Sequence, residues 1–223
     1  MKTITILLAE DHGIVREGFR NLLKSEAGFH IIGEAENGRK AVAMTKKLRP
    51  DVVVMDIAMP LLNGIEATRQ IVKAVPTTKV IILSAHSDDA YIEHVNSVGA
   101  AGYLVKQSSA SMLTKAIRAV EEGKTFFAPL IARRLSDDKS KRDRKTSKRK
   151  IALLTPREME VLQLIAEGEP NKRIATELEI SIKTVEKHRQ KIMDKLKIHD
   201  TAGLTRYAIG AGIIESSVQL TIV

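Results

Sequence analysis

Val52-Val53-Val54-Met55-Asp56-Ile57-Ala58-Met59-Pro60 is the stretch that decides the fold. Four consecutive apolar residues run into an aspartate, and a Met-Pro turn then stops the segment. A short apolar run bounded by breakers reads as a strand buried on both faces, the kind found in parallel sheets. Asp56 then ends a central strand, at the edge where open α/β sheets bind ligands. A lone carboxylate there usually just begins a loop, so its weight rests on what the chain places beside it.

On either side of this strand, strand and helix patterns alternate. Ile4 to Ala9 reads as a strand, and a helical stripe of Ile14, Phe19, Leu22 and Leu23 runs to Lys24. A second strand begins at His30 to Gly33, and Gly38 to Leu48 is helical. After the loop carrying Pro60 and Gly64 come a helix to Lys73 and a strand from Lys79 to Ser84. A helix over Asp89 to Val98, a strand over Ala101 to Val105 and a helix over Ser111 to Glu122 complete the series. Five strand-helix repeats imply a five-stranded parallel doubly wound sheet with helices on both faces.

Polar residues then gather at one edge. Glu10 and Asp11 follow the first strand, Asp56 ends the third, Ser84 ends the fourth and Lys106 follows the fifth. Crowded carboxylates repel unless a cation joins them, and hard oxygen donors with room for water suit Mg²⁺ far better than Zn²⁺. With an ammonium and a hydroxyl nearby, such a cluster suits a phosphoryl group, and one carboxylate can be the nucleophile that forms an acyl phosphate.

Residues Ile4 to Phe127 resemble the receiver domain of bacterial two-component response regulators. The resemblance rests on Glu10-Asp11, Asp56-Ile57-Ala58-Met59-Pro60, Gly64, Ser84-Ala85 and Gly99-Ala100-Ala101-Gly102-Tyr103-Leu104-Val105-Lys106. It implies that Asp56 accepts a phosphoryl group from a sensor histidine kinase. It also implies that Glu10, Asp11, Asp56 and the Ala58 carbonyl arrange Mg²⁺, that Ser84 and Lys106 approach the phosphate, and that Tyr103 rotates inward as a switch aromatic. The chain departs from the common pattern at Gln107, where many receivers have proline, and at Ala58, which offers no side chain to orient a hydrolytic water. His86 is a candidate for that second role.

The 223 residues leave room for two small domains, and 43% hydrophobic with 28% charged is an ordinary soluble composition. There is no cysteine, which excludes disulfides, thiol nucleophiles and thiolate metal sites. No leader-like start or membrane-length apolar run is present, so a cytoplasmic protein with no membrane partner is expected. Of the +9 net charge, most lies between Arg133 and Lys150, where ten Lys or Arg face three Asp. That segment lacks apolar periodicity and reads as a mobile basic tether. The expected division is a receiver over 1–127, a linker over 128–150 and a DNA-binding domain over 151–223.

In the second half, Thr155-Pro156-Arg157-Glu158 is a helix start: Thr155 caps, Pro156 takes the first helical position and Glu158 completes a capping box. Helices over Asn171 to Leu178, then to Leu196 after the turn Glu179-Ile180-Ser181, and over Thr201 to Ala208 give a helix-turn-helix pattern. The segment Leu154 to Ala211 resembles the LuxR-type helix-turn-helix of the NarL/FixJ subfamily, through Leu154-Thr155-Pro156-Arg157-Glu158, Asn171-Lys172, Ile180-Ser181, Lys183-Thr184-Val185, His188 and Lys195-Leu196. The resemblance sets Glu186, Lys187 and Gln190 toward bases, and Lys172, Lys183, Thr184 and His188 near phosphates. Glu186 departs from the basic residue often found there, and Pro170 from a small hydroxyl residue.

Together the two resemblances imply a phosphorylation-dependent transcription regulator that binds double-stranded promoter DNA as a homodimer, with RNA polymerase a further candidate partner. It would not be an enzyme in the usual sense, but would accept its own phosphoryl group and lose it by slow self-hydrolysis. A small-molecule phosphatase would want a general acid two residues after Asp56, where Ala58 stands. A DNA-binding protein whose first domain only dimerises would not need Glu10, Asp11, Asp56, Ser84 and Lys106 together.

Overall fold

Six strands, not five, form the sheet in the computed structural model, which describes residues 3–84, 98–106, 108, 110–127 and 154–214. In chain order the first compact unit holds β1 (Ile4–Ala9), α1 (Gly13–Lys24), β2 (Phe29–Ala35), α2 (Gly38–Leu48), β3 (Val52–Asp56), α3 (Gly64–Ala74) and β4 (Lys79–Ser84). It continues with β5 (Gly102–Val105), α4 (Ala110–Glu121) and β6 (Phe126–Phe127). The expected helix over Asp89 to Val98 and His86 fall almost wholly outside the described residues.

The strand order β2-β1-β3-β4-β5-β6 makes β3 central, and every pairing is parallel. All five residues of β3 are buried, as its unbroken apolar run requires. The two faces of the sheet carry separate cores. One gathers Leu7, Val53, Met55, Ile71 and Tyr103, the other Ile6, Val54, Leu104, Ile117 and Val120. The added strand β6 pairs Phe126 with Gly102 and Phe127 with Tyr103. Its two rings go to opposite faces, Phe127 against the first core and Phe126 against the second, as the period of two along a strand dictates.

An expectation about burial also fails. Ile14 is 90% exposed rather than part of the buried stripe of α1, whose fully buried residue is Leu23. It lies in the first turn of the helix.

The second unit is all helical: α5 (Pro156–Ala166), α6 (Asn171–Glu177), α7 (Ile182–Leu196) and α8 (Thr201–Gly210). Its core is Val161, Leu162, Leu164, Ile174, Val185, Ile192, Leu196, Leu204 and Ala208. The expected capping box is present, with Thr155 Oγ1 accepting from Glu158 N–H and Glu158 Oε2 accepting from Thr155 N–H at 2.7 Å. Pro170 caps α6 with no side-chain hydrogen bond, whereas Ser181 caps α7 by accepting from Thr184 N–H.

Candidate functional site

Parallel pairing carries the C-terminal ends of β1, β3, β4 and β5 to one edge, and there the polar residues converge. Glu10, Asp11, His12 and Asp56 each offer one ligand atom, and these atoms lie within 4.8 Å of one another. Glu10 and Asp56 are almost fully buried, at 1% and 2% exposure. The Lys106 ammonium bridges them, 2.8 Å from Glu10 Oε2 and 2.9 Å from Asp56 Oδ1. Asp56 Oδ2 is buried with no hydrogen-bond partner. Burial, reinforced by the Glu10 charge and only partly offset by Lys106, pushes the Asp56 carboxyl up to about 6. For Lys106, burial works against the charge, but Asp56 and Glu10 outweigh it and raise the pKa.

A cluster of this kind has one ammonium for three carboxylates. An unpartnered buried oxygen and a carboxyl held above its usual range are what a cation would relieve. The residues therefore fit a metal ion, and the carboxylate-rich donor set is that of a hard divalent cation.

The surrounding residues fix the edge. Asn63 caps α3 by accepting from Glu66 N–H, and Gly64 N–H donates to the Ile57 carbonyl at 2.8 Å. A Cβ on Gly64 would lie 1.9 Å from the Asp56 carbonyl oxygen, so only glycine lets α3 start this close to β3. Ser84 is 2% exposed at the end of β4, and its carbonyl accepts from Lys106 N–H at 2.7 Å. Ala58 is half-buried in the loop after β3. Tyr103 is fully buried on β5, in the core that also holds Met55, Ile57 and Met59.

Two residues at this edge escaped the reading of the sequence. His12 Nδ1 lies 2.8 Å from Asp11 Oδ1, and that carboxylate raises the imidazole pKa. Arg16 Nη1 donates to the Glu10 carbonyl at 2.7 Å. A histidine directly after the acidic pair was a readable signal; a side chain bonding to backbone carbonyls leaves none.

In the second unit, Lys183, Glu186, Lys187 and Gln190 are exposed along α7, and Lys172 is exposed on α6. Gln190 Nε2 donates to Asp194 Oδ1 at 2.9 Å, and Thr184 Oγ1 lies 2.8 Å from Ser181 Oγ. His188 is set apart: it is half-buried, its Nδ1 has no hydrogen-bond partner, and burial holds its pKa below the usual value. Beneath the open face, Lys195 Nζ donates to Glu158 Oε2 at 2.6 Å, tying α7 to α5. Arg157 pairs with Glu160 within α5 and ties that helix to the Leu178 carbonyl at the end of α6.

Residues 6–118 match the family model described as response regulator receiver domain, and residues 152–208 match that of bacterial regulatory proteins, luxR family. The chain belongs to the two-component response regulators of the NarL/FixJ type, transcription regulators that join a receiver to a LuxR-type DNA-binding domain. Among its relatives, the transcriptional regulatory protein DegU of Brevibacillus brevis is 36% identical over 210 residues, covering 88% of this chain and 89% of DegU. The oxygen regulatory protein NreC of Staphylococcus carnosus is 35% identical over 214 residues, covering 94% and 99%. Among solved structures, RcsB of Salmonella enterica serovar Typhimurium, bound to promoter rprA with the phosphomimetic BeF3⁻, aligns with TM-score 0.61 at 27% identity. That alignment covers 92% of this chain and 98% of RcsB. None of the helices among the described residues is long and apolar enough to cross a membrane.

Proposed function

We propose that the chain is a cytoplasmic phosphorylation switch in which Asp56 accepts a phosphoryl group from a sensor histidine kinase and thereby changes dimerisation and promoter binding. The reading takes residues 1–127 as receiver, 128–150 as linker and 151–223 as DNA-binding domain. The observation that carries it is the Lys106 ammonium spanning Glu10 and Asp56 while Asp56 Oδ2 stays buried and unpartnered. A carboxylate so held is a poorly solvated nucleophile beside a cation suited to phosphoryl oxygens. An Asp56 carboxylate oxygen attacks the phosphorus of the phosphohistidine, the new P–O bond replaces the P–N bond, and the imidazole leaves with a proton. Lys106 and Ser84 receive the phosphoryl oxygens. Glu10, Asp11, Asp56 and the Ala58 carbonyl would hold Mg²⁺, which when bound neutralises charge between carboxylate and phosphoryl group. Tyr103 responds to the altered edge. The acyl phosphate is lost by slow self-hydrolysis, with no side chain at Ala58 to orient the water.

On the DNA side, Lys187, Gln190 and Glu186 read base edges from the major groove, Gln190 suiting adenine, Lys187 guanine and Glu186 cytosine N4. Lys172, Lys183, Thr184 and His188 serve the phosphates. His188 does so only if its half-buried ring turns outward. The α8 helices of two protomers pair on an inverted repeat.

The test is to incubate the protein with Mg²⁺ and acetyl phosphate, read its intact mass, and repeat with Asp56→Asn. Gain of one phosphoryl group by the wild type alone, with tighter dimerisation and promoter binding, is the expected result. No gain by the wild type would reduce Asp56 to a structural residue of a DNA-binding protein with another input.

A further inference from the structure

Arg16 stands in the second turn of α1, where an arginine facing solvent would need no comment, yet it is only 24% exposed and turns back toward the acidic edge. Its Nη1 donates to the Glu10 carbonyl at 2.7 Å and lies 3.4 Å from the Asp11 carbonyl. Its Nε lies 3.4 Å from Glu34 Oε2 on β2, and Arg20 Nη1 lies 3.6 Å from the other oxygen of that carboxylate. The Glu10 backbone is thus held on both sides, its N–H donating to the Ala35 carbonyl at 3.0 Å and its carbonyl accepting from Arg16.

We infer that Arg16 is a positioning residue for the metal: anchored on Glu34, it fixes the Glu10–Asp11 turn and through it the aim of two of the three carboxylates. This rests on the divalent-cation reading of the site given above. The planar guanidinium suits the task, because one rigid fork serves two carbonyls on one side and a carboxylate on the other. Loss of groups that orient metal ligands from behind weakens binding by about 10- to 100-fold.

A purely electrostatic role has the opposite sign. A guanidinium beside an acidic cluster repels a divalent cation, so deleting it would tighten binding if charge were its only contribution. Positioning predicts weaker binding. Nor does the helix need the arginine, since alanine is the better helix former.

The experiment titrates full-length protein with Mn²⁺ and follows the free ion by electron paramagnetic resonance at constant ionic strength, for wild type, Arg16→Ala, Arg16→Lys and Glu34→Gln. Arg16→Ala is expected to raise the Mn²⁺ Kd by about tenfold or more. Arg16→Lys, which keeps the charge and loses the fork, and Glu34→Gln, which loosens the anchor, shift it the same way by less. In acetyl phosphate reactions, the Mg²⁺ concentration for half-maximal rate should rise while the rate at saturating Mg²⁺ changes little, a split that general destabilisation would not give. Unchanged or tighter Mn²⁺ binding by Arg16→Ala overturns the inference. If that variant does not fold, the same result for Arg16→Lys and Glu34→Gln overturns it. Failure of the wild type itself to bind Mn²⁺ would instead overturn the cation reading beneath it.

Discussion

Asp56 carries an energetic cost in the folded protein. Its carboxyl is pushed from 3.8 to about 6 by burial and by Glu10. The folded state therefore keeps a proton that the unfolded chain has already released, and stability falls as pH rises through that window. Above it the cost is about 3 kcal/mol, an order-of-magnitude figure for a shift of this size. Asp56→Asn should consequently stabilise the protein by up to that amount at pH 7 in chelator, in urea unfolding. The gain should fade as pH falls toward 4, and with wild type added Mg²⁺ should recover part of it. Asp56, Glu10, Asp11, Ser84 and Lys106 were legible because each follows an apolar strand whose direction is set by the parallel fold. Arg16 was not, because it reaches the site through backbone carbonyls, which every residue has, and nothing in the sequence pairs it with Glu34. The half-burial of His188 was hidden for a related reason: a charged helix does not announce which of its edges meets a neighbouring helix.

At the scale of elements, the close approach of α3 to β3 makes Gly64 the most constrained position of the site. Gly64→Ala must move either the helix start or the Asp56 carbonyl. It should cost about 1–3 kcal/mol by overpacking and slow phosphoryl uptake from acetyl phosphate, measured by urea midpoint and intact mass. In the second unit, Thr155→Ala removes one half of the capping box and should lower stability by about 1 kcal/mol. Glu158, whose pKa is net lowered by Lys195 and Thr155 against its own burial, contributes stability present above pH 4.5 that is lost as pH falls below it. Most elements were readable from period and from punctuation such as Pro60 and Gly64. The two-residue strand β6 was not, since a pair of phenylalanines has no period, and its pairing with β5 arises only once α4 brings it alongside. Ile14 misled because an apolar residue at helical spacing reads as buried, whereas this one, in the first turn of α1, is exposed.

Over the whole molecule, charge is divided by task. Ten of the 36 basic residues fall between Arg133 and Lys150, while the exposed face of α7 mixes Lys183 and Lys187 with Glu186. Replacing Lys139, Lys141, Arg142, Arg144 and Lys145 by serine should weaken promoter DNA and random DNA alike. It should also flatten the plot of log affinity against log salt by about 0.9 for each phosphate no longer neutralised. Lys187→Ala should instead change the preferred sequence. Because β6 runs parallel to β5, with Phe127 opposite Tyr103, that short strand points toward the same edge as Asp56 and Lys106.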